Sequence, residues 1–192
     1  MVLFGVLLFP TNSFADRYGG HSILWFNAHT FVGYGNAKAT GDRTVPTVGT
    51  TTLGAEIGFR IARKFLIGAS ADYRFVTQFS AYDPLVGNRR GSNTTLGSPI
   101  LGWEFNGMAL KAMLHISGNY KIQNTTQSGQ SLSYSKASGF RIEFTLPWGT
   151  WLKPTAFYES VSYSNQMLDG VATGNPVPLA LNQYGIGVLL GL

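Results

Sequence analysis

Leu-Gly-Ala-Glu-Ile-Gly-Phe-Arg-Ile-Ala-Arg-Lys-Phe-Leu-Ile-Gly-Ala-Ser-Ala-Asp-Tyr-Arg-Phe, residues 53 to 75, is the stretch on which the fold turns. Its odd positions, Leu53, Ala55, Ile57, Phe59 and Ile61, then Phe65, Ile67, Ala69, Ala71, Tyr73 and Phe75, carry no charge. Its even positions hold Gly54, Glu56, Gly58 and Arg60, then Gly68, Ser70, Asp72 and Arg74. Strict period two on both sides of the three-residue break 62–64 predicts two strands joined by a short turn. Long charged side chains share one face with glycines, and that combination sets its direction. A face turned to water has no use for glycine, whereas a narrow barrel lumen has room for Arg and Glu only if their neighbours are small. The charged face is expected to point in and the apolar face out.

The same pattern extends along the chain in eight segments, near 23–36, 51–61, 65–77, 95–105, 108–123, 135–146, 150–162 and 181–192. The connections 62–64, 106–107 and 147–149 are short, and 37–50, 78–94, 124–134 and 163–180 are long. This predicts an all-β, eight-stranded antiparallel up-and-down barrel with its long loops at one end. Asn106-Gly107 is the strongest hairpin signal, because a type I′ turn needs positive φ at both central residues. The predicted outer belt continues through Leu101, Trp103, Phe105, Leu110, Leu114, Tyr120, Ile122, Phe140, Ile142, Phe144, Tyr184, Ile186 and Val188. Tyr34, Tyr73, Tyr120 and Tyr158 near the loop ends, and Phe59, Phe65, Trp103 and Trp148 near the short turns, predict two aromatic girdles of the kind found at membrane interfaces. Pro99 and Pro154 fall inside predicted strands, where a closed sheet has no edge to hide a missing donor. Pro154 is expected to need a bulge or a shifted strand start.

Composition agrees with a barrel seated in lipid. Charged residues make up 12% of the 192, well under the roughly 25% of an ordinary soluble domain, and there are 24 glycines and no cysteine. Disulfides, thiolate metal sites and cysteine nucleophiles are thereby excluded. The net charge of +5 is scattered, so no nucleic-acid surface is expected. Residues 1–15, an apolar run closing on Ser13-Phe14-Ala15, read as a secretory signal peptide, leaving 16–192 as the barrel. No later segment approaches the ~20 apolar residues of a membrane helix, so any crossing is made by strands.

Eight alternating segments, three tight turns, four long loops and the strand Tyr184 to Leu192 together resemble the bacterial outer-membrane eight-stranded barrel family, typified by the OmpA transmembrane domain, OmpX and OmpW. The resemblance implies an integral outer-membrane location, loops outside and turns in the periplasm. It also implies recognition of the last strand by the barrel-assembly machinery, and a lumen plugged by ion pairs.

The predicted lumenal charge network is Glu56, Arg60, Asp72, Arg74, Glu104, Lys111, Arg141, Glu143, Lys153 and Glu159, with Lys121 on the same face. Charges in a narrow interior must pair. His115 and Ser117, two apart on one strand, are expected to form a lumenal polar pair, with His29 also facing in; a hydrolase acting on lipid A is the enzymatic alternative, and a narrow gated solute path a further one. No catalytic residue, metal or cofactor is expected. The function falls to the loops, as a structural or surface-interaction role. The expected partners are membrane lipid and lipopolysaccharide; Arg89 and Arg90 read first as a solvated loop tip, with binding of lipopolysaccharide phosphates, which suit Arg, as the alternative. Met167 to Ala180, more apolar than a free loop, is expected to fold over the barrel mouth.

Overall fold

A computed structural model describes residues 23–39, 45–62, 64–79, 91–122, 131–148, 151–173 and 177–191, with 91–96 described as backbone. The segment 1–15, Arg43, Arg89 and Arg90 lie outside the described residues. The strands are β1 (Leu24–Ala39), β2 (Thr47–Ile61), β3 (Phe65–Gln78), β4 (Gly91–Phe105), β5 (Met108–His115), β6 (Gly118–Ile122), β7 (Leu132–Thr145), β8 (Leu152–Leu168), β9 (Val171–Ala172) and β10 (Leu179–Gly191). β5 and β6 are one interrupted strand, pairing with the lower and upper halves of β4. β9 is a two-residue flap on the loop end of β8. The remaining neighbours pair antiparallel in chain order, and β1 closes on β10 from Asn27↔Gly191 to Ala39↔Leu179. The result is an eight-stranded antiparallel up-and-down barrel. Asn106 and Gly107 have φ of 49° and 77°, as the type I′ hairpin requires.

Along the turn-side half, the alternation read from residues 53–75 holds. Ile57, Phe59, Ile67, Leu101, Leu110, Ile142, Phe144 and Ile186 are exposed on the outside, and Glu56, Asp72, Lys111, Arg141 and Glu143 are buried inside. Glycines face the same interior because space there is scarce. A Cβ on Gly54 would meet both His29 and Asp72, and one on Gly58 would lie 2.7 Å from the Trp25 indole.

Towards the loops the strands run on further than expected, and the polarity turns over. β1 continues to Ala39, β2 begins at Thr47, β7 at Leu132, and β8 extends to Leu168. Here the inside is an apolar cap built of Val48, Val76, Tyr120, Tyr134, Tyr163 and Leu181, with smaller neighbours around them. The outward positions are Asn36, Lys38, Lys121, Ser133, Ser135 and Asn182. A barrel with its apolar face out below and its apolar face in above passes from one solvent to another along its axis. The predicted flap is present in part, since Leu179 belongs to this cap and Val177 packs against it.

The changeover coincides with irregularities in three successive strands. Gly97 has φ of +67° and the β3/β4 register shifts between Ser70 and Asp72; β5 stops at His115 and β6 restarts at Gly118; Lys136 in β7 has φ of 58°. One extra residue moves every later side chain to the other face. Tyr120 and Ile122, expected outside, are therefore inside, whereas Lys121 and Ser117, expected in the lumen, are outside.

The prolines are accommodated without the bulge expected at Pro154. The β8/β10 register runs straight through Pro154↔Val188. Its carbonyl accepts from Leu146 N at 2.8 Å, and the Leu146 carbonyl, which the proline leaves without a donor, accepts from Trp148 N in the adjoining turn at 2.9 Å. Pro99 sits where the β4/β5 ladder is already interrupted, between Ile100↔Met113 and Thr95↔Gly118.

Candidate functional site

The lumen is filled in layers. At the turn-end mouth Arg60 holds Glu104 through two hydrogen bonds, Nε at 2.7 Å and Nη2 at 3.0 Å. Above this pair lies a vestibule of about 150 Å³, reached by Asn27, Lys111 and Lys153. Lys153 is half-buried with no ion-pair partner among the described residues, so it lines the entrance and stands outside the network. The vestibule ends on an apolar layer of Trp25, Leu66, Ile100 and Met113.

Next comes a closed ring of charge. Lys111 Nζ lies 2.7 Å from Glu56 Oε1 and 2.6 Å from Glu143 Oε2. Arg141 lies 2.9 Å from Glu143 through Nε and 2.7 Å from Asp72 through Nη1. His29 returns the circuit, with Nε2 2.9 Å from Asp72 Oδ1 and Nδ1 3.7 Å from Glu56 Oε1. Asn27 donates to Glu56 at 3.1 Å, and the Arg141 guanidinium stands 5.4 Å from the Phe31 ring centroid. The side chains come from β1, β2, β3, β5 and β7, so the ring ties most of the wall together across the lumen.

A second cluster sits closer to the loops. Arg74 Nη2 lies 2.8 Å and 2.7 Å from the two oxygens of Glu159, while its Nε donates to Thr52 at 3.1 Å. Gln183 donates to Glu159 and accepts from Thr50 at 2.5 Å. His115 Nε2 lies 2.7 Å from Glu159 Oε1. Together the two clusters hold four carboxylates and three permanent cations, with a histidine against each cluster. All seven charged groups are at most 3% exposed. Among the described residues, no group of side chains is arranged to hold a metal ion.

The expected pair of His115 and Ser117 is not formed. The strand break after His115 turns Ser117 outward, and His115 Nδ1 instead lies 3.2 Å from Ser98 Oγ on β4. Ser98, His115 and Glu159 thus form a hydroxyl–imidazole–carboxylate chain, the connectivity of a nucleophile relay. Ser98 is fully buried, however, so its oxygen lies away from the protein surface. Glu159 is meanwhile committed to Arg74 and Gln183. His29, noted only as an inward histidine, completes the charge ring and does not meet His115. The neutral members Thr50, Thr52, Ser98 and Gln183 carry no sequence signal beyond their inward parity.

The inside-out arrangement, with charge enclosed and apolar side chains displayed, defines the class: an eight-stranded transmembrane β-barrel. The Neisserial surface protein A (NspA) has the same fold, with a TM-score of 0.50 at 10% identity over 87% of this chain and 97% of that one. Ail, the attachment invasion locus protein of Yersinia pestis, crystallised with the heparin analogue sucrose octasulfate, matches at a TM-score of 0.48 and 17% identity, over 88% of this chain and 100% of its own. An outer membrane channel from Pseudomonas putida F1 matches at 0.39 and 9%, over 92% and 98%. No protein-family model and no curated protein matches the sequence.

Proposed function

We propose that the chain is an integral outer-membrane barrel that is sealed, non-enzymatic and non-conducting, and that works as a rigid scaffold holding its loop end above the membrane. The observation that carries this reading is the double closure of the lumen. A hydrated ion entering from the turns passes the Arg60–Glu104 pair and the vestibule, then meets an apolar layer, a ring of buried ion pairs, a second ion cluster and an apolar cap. Opening the path means breaking several buried ion pairs, each costing a few kcal/mol, as well as displacing Tyr120, Tyr134 and Tyr163, each at most 1% exposed.

The polar collar of the upper strands supports placing the loops outside. Loops presented there suit a surface-interaction role. Membrane lipid and lipopolysaccharide are the proposed partners of the wall, and the barrel-assembly machinery that of the closing strand. Among other functions, the gated solute path is disfavoured by the apolar cap and the hydrolase by the inaccessible Ser98. Planar-bilayer recording of the refolded full chain tests the reading: no steady conductance is expected above that of the bare bilayer, and a reproducible unitary current would overturn it.

A further inference from the structure

The vestibule at the turn-end mouth is charged in a way that the plug above it does not require. Three cations, Arg60, Lys111 and Lys153, line it against one acid, Glu104. Glu104 is held by Arg60, and the charge ring turns Lys111 to this cavity while neither Glu56 nor Glu143 lines it. Lys153 is the cation left over. It shares the inward parity of β8 with Thr155 and Phe157, opposite Leu189 of β10, and no carboxylate among the described residues pairs with it. Its ammonium group is turned into the lumen, since a Cβ placed on Gly191 would lie 4.0 Å from Lys153 Nζ and 3.2 Å from Asn27 Oδ1. Gly191, without a side chain, keeps the wall beside both clear.

Trp25 supplies a second, independent mark of a ligand. It lines the same cavity, is 5% exposed, and its indole N–H is buried with no hydrogen-bond partner among the described residues. Buried donors are as a rule satisfied, by protein or by an ordered water or ion, so this one calls for an acceptor. Most of the remaining lining is apolar, from Leu24, Leu66, Ala109 and Leu189. A cleft with low-dielectric walls and one prevailing sign of charge concentrates its field on whatever enters. Room for one water takes about 10 to 15 Å³, so a vestibule of about 150 Å³ admits a small anion with part of its hydration shell.

We propose that this vestibule binds a small oxyanion of the phosphate or carboxylate class, entering from the turn end, with the Lys153 ammonium as its counter-charge and the Trp25 N–H as a hydrogen-bond donor. An oxyanion suits this pair better than a halide, because its separate oxygens meet an ammonium and an N–H at once. The site is a dead end, closed above by the layer that Trp25 forms with Leu66, Ile100 and Met113. The inference rests on the sealed-barrel reading for that closure.

The test is isothermal titration calorimetry of inorganic phosphate into the full chain refolded in an uncharged glycoside detergent. The wild type is expected to bind one phosphate per barrel. Lys153→Met is expected to lose at least tenfold in affinity, the scale of one charge-assisted contact, and Lys153→Arg to retain binding. Trp25→Phe keeps an aromatic ring, removes the donor and is expected to lose about threefold or more, so the site is tested at two positions. Heat-modifiable gel mobility checks that each variant is folded. Lys64→Met removes the same charge from an exposed position outside the vestibule and is expected to bind as the wild type does. No saturable binding by the wild type, wild-type affinity in folded Lys153→Met, or an equal loss in Lys64→Met overturns the site. Phosphatidate in the same micelles is expected not to displace phosphate, because the cavity lies inside the wall; displacement would make the ligand a headgroup and overturn the lumenal placement. A barrel that conducts steadily in planar bilayers fails the sealed reading instead, whereas a sealed barrel that binds no phosphate fails the site alone.

Discussion

Arg141→Met removes the best-connected cation of the lumen and keeps its approximate volume. The guanidinium lies 2.7 Å from Asp72 and 2.9 Å from Glu143, donates to Met113 Sδ at 3.0 Å and stands over Phe31. Without it, Asp72 keeps only His29 and Glu143 only Lys111, and four buried carboxylates face two permanent cations. Removing one partner of a buried pair costs about 3 to 5 kcal/mol because the other charge is left uncompensated. Two acids lose a contact here and neither is abandoned, which places the expected loss near the middle of that range. Urea unfolding from phospholipid vesicles, followed by gel mobility and tryptophan fluorescence, measures it. Adding Asp72→Asn is expected to recover about 1 kcal/mol or more, since replacing a whole ion pair by neutral groups is far cheaper than breaking it. A single variant within about 1 kcal/mol of wild type, or losses that simply add in the double variant, would refute the closed ring.

On the outer wall, Ile57→Lys and Phe144→Lys are each expected to cost about 2 to 4 kcal/mol if near the midplane, and Ser162→Lys, on the polar collar, under about 0.5 kcal/mol; equal losses in the same titration would show that the belt is misplaced. Gly54→Ala puts a methyl against the His29–Asp72 contact and is expected to cost about 1 to 3 kcal/mol by overpacking, which a neutral result would contradict. Ser98→Ala, His115→Ala and Ser117→Ala are expected to leave the lipid A acylation of expressing cells unchanged. Mass spectrometry decides this, and an acyl chain removed by the wild type but retained with Ser98→Ala would make the buried relay an enzyme.

The turn-side half of the barrel was legible because two unambiguous signals coincided there: period two, and charges sharing a face with glycines. Glu56, Asp72, Lys111, Arg141 and Glu143 could be placed inside from parity alone. The ring that joins them could not, because cross-lumen partners depend on the stagger of strands distant in sequence. The loop-side half was misread where it carries the opposite code. Polar side chains outside and alanines or tyrosines inside, as in Asn36-Ala37-Lys38-Ala39, look like loop composition to a reader seeking an apolar outer face. The bulges at Gly97, after His115 and at Lys136 then shifted parity, and only Gly97 advertises such a shift by residue type. Period two carried through these breaks places Ser117 and Tyr120 on the wrong faces and pairs His115 with Ser117, whereas its true partner Ser98 comes from the neighbouring strand.

The change of polarity along the wall is open to direct measurement, because the chain has no native cysteine. Single cysteines along β7, spin-labelled in vesicles, report water or lipid at each position through collisions with a polar relaxer and with oxygen. Lipid contact is expected at 140, 142 and 144, water contact at 133, 135 and 136, and protection from both at 134, 137, 141 and 143, with the two-residue rhythm broken once at Lys136. An unbroken alternation from 132 to 145, or water contact at 142 and 144, would contradict it.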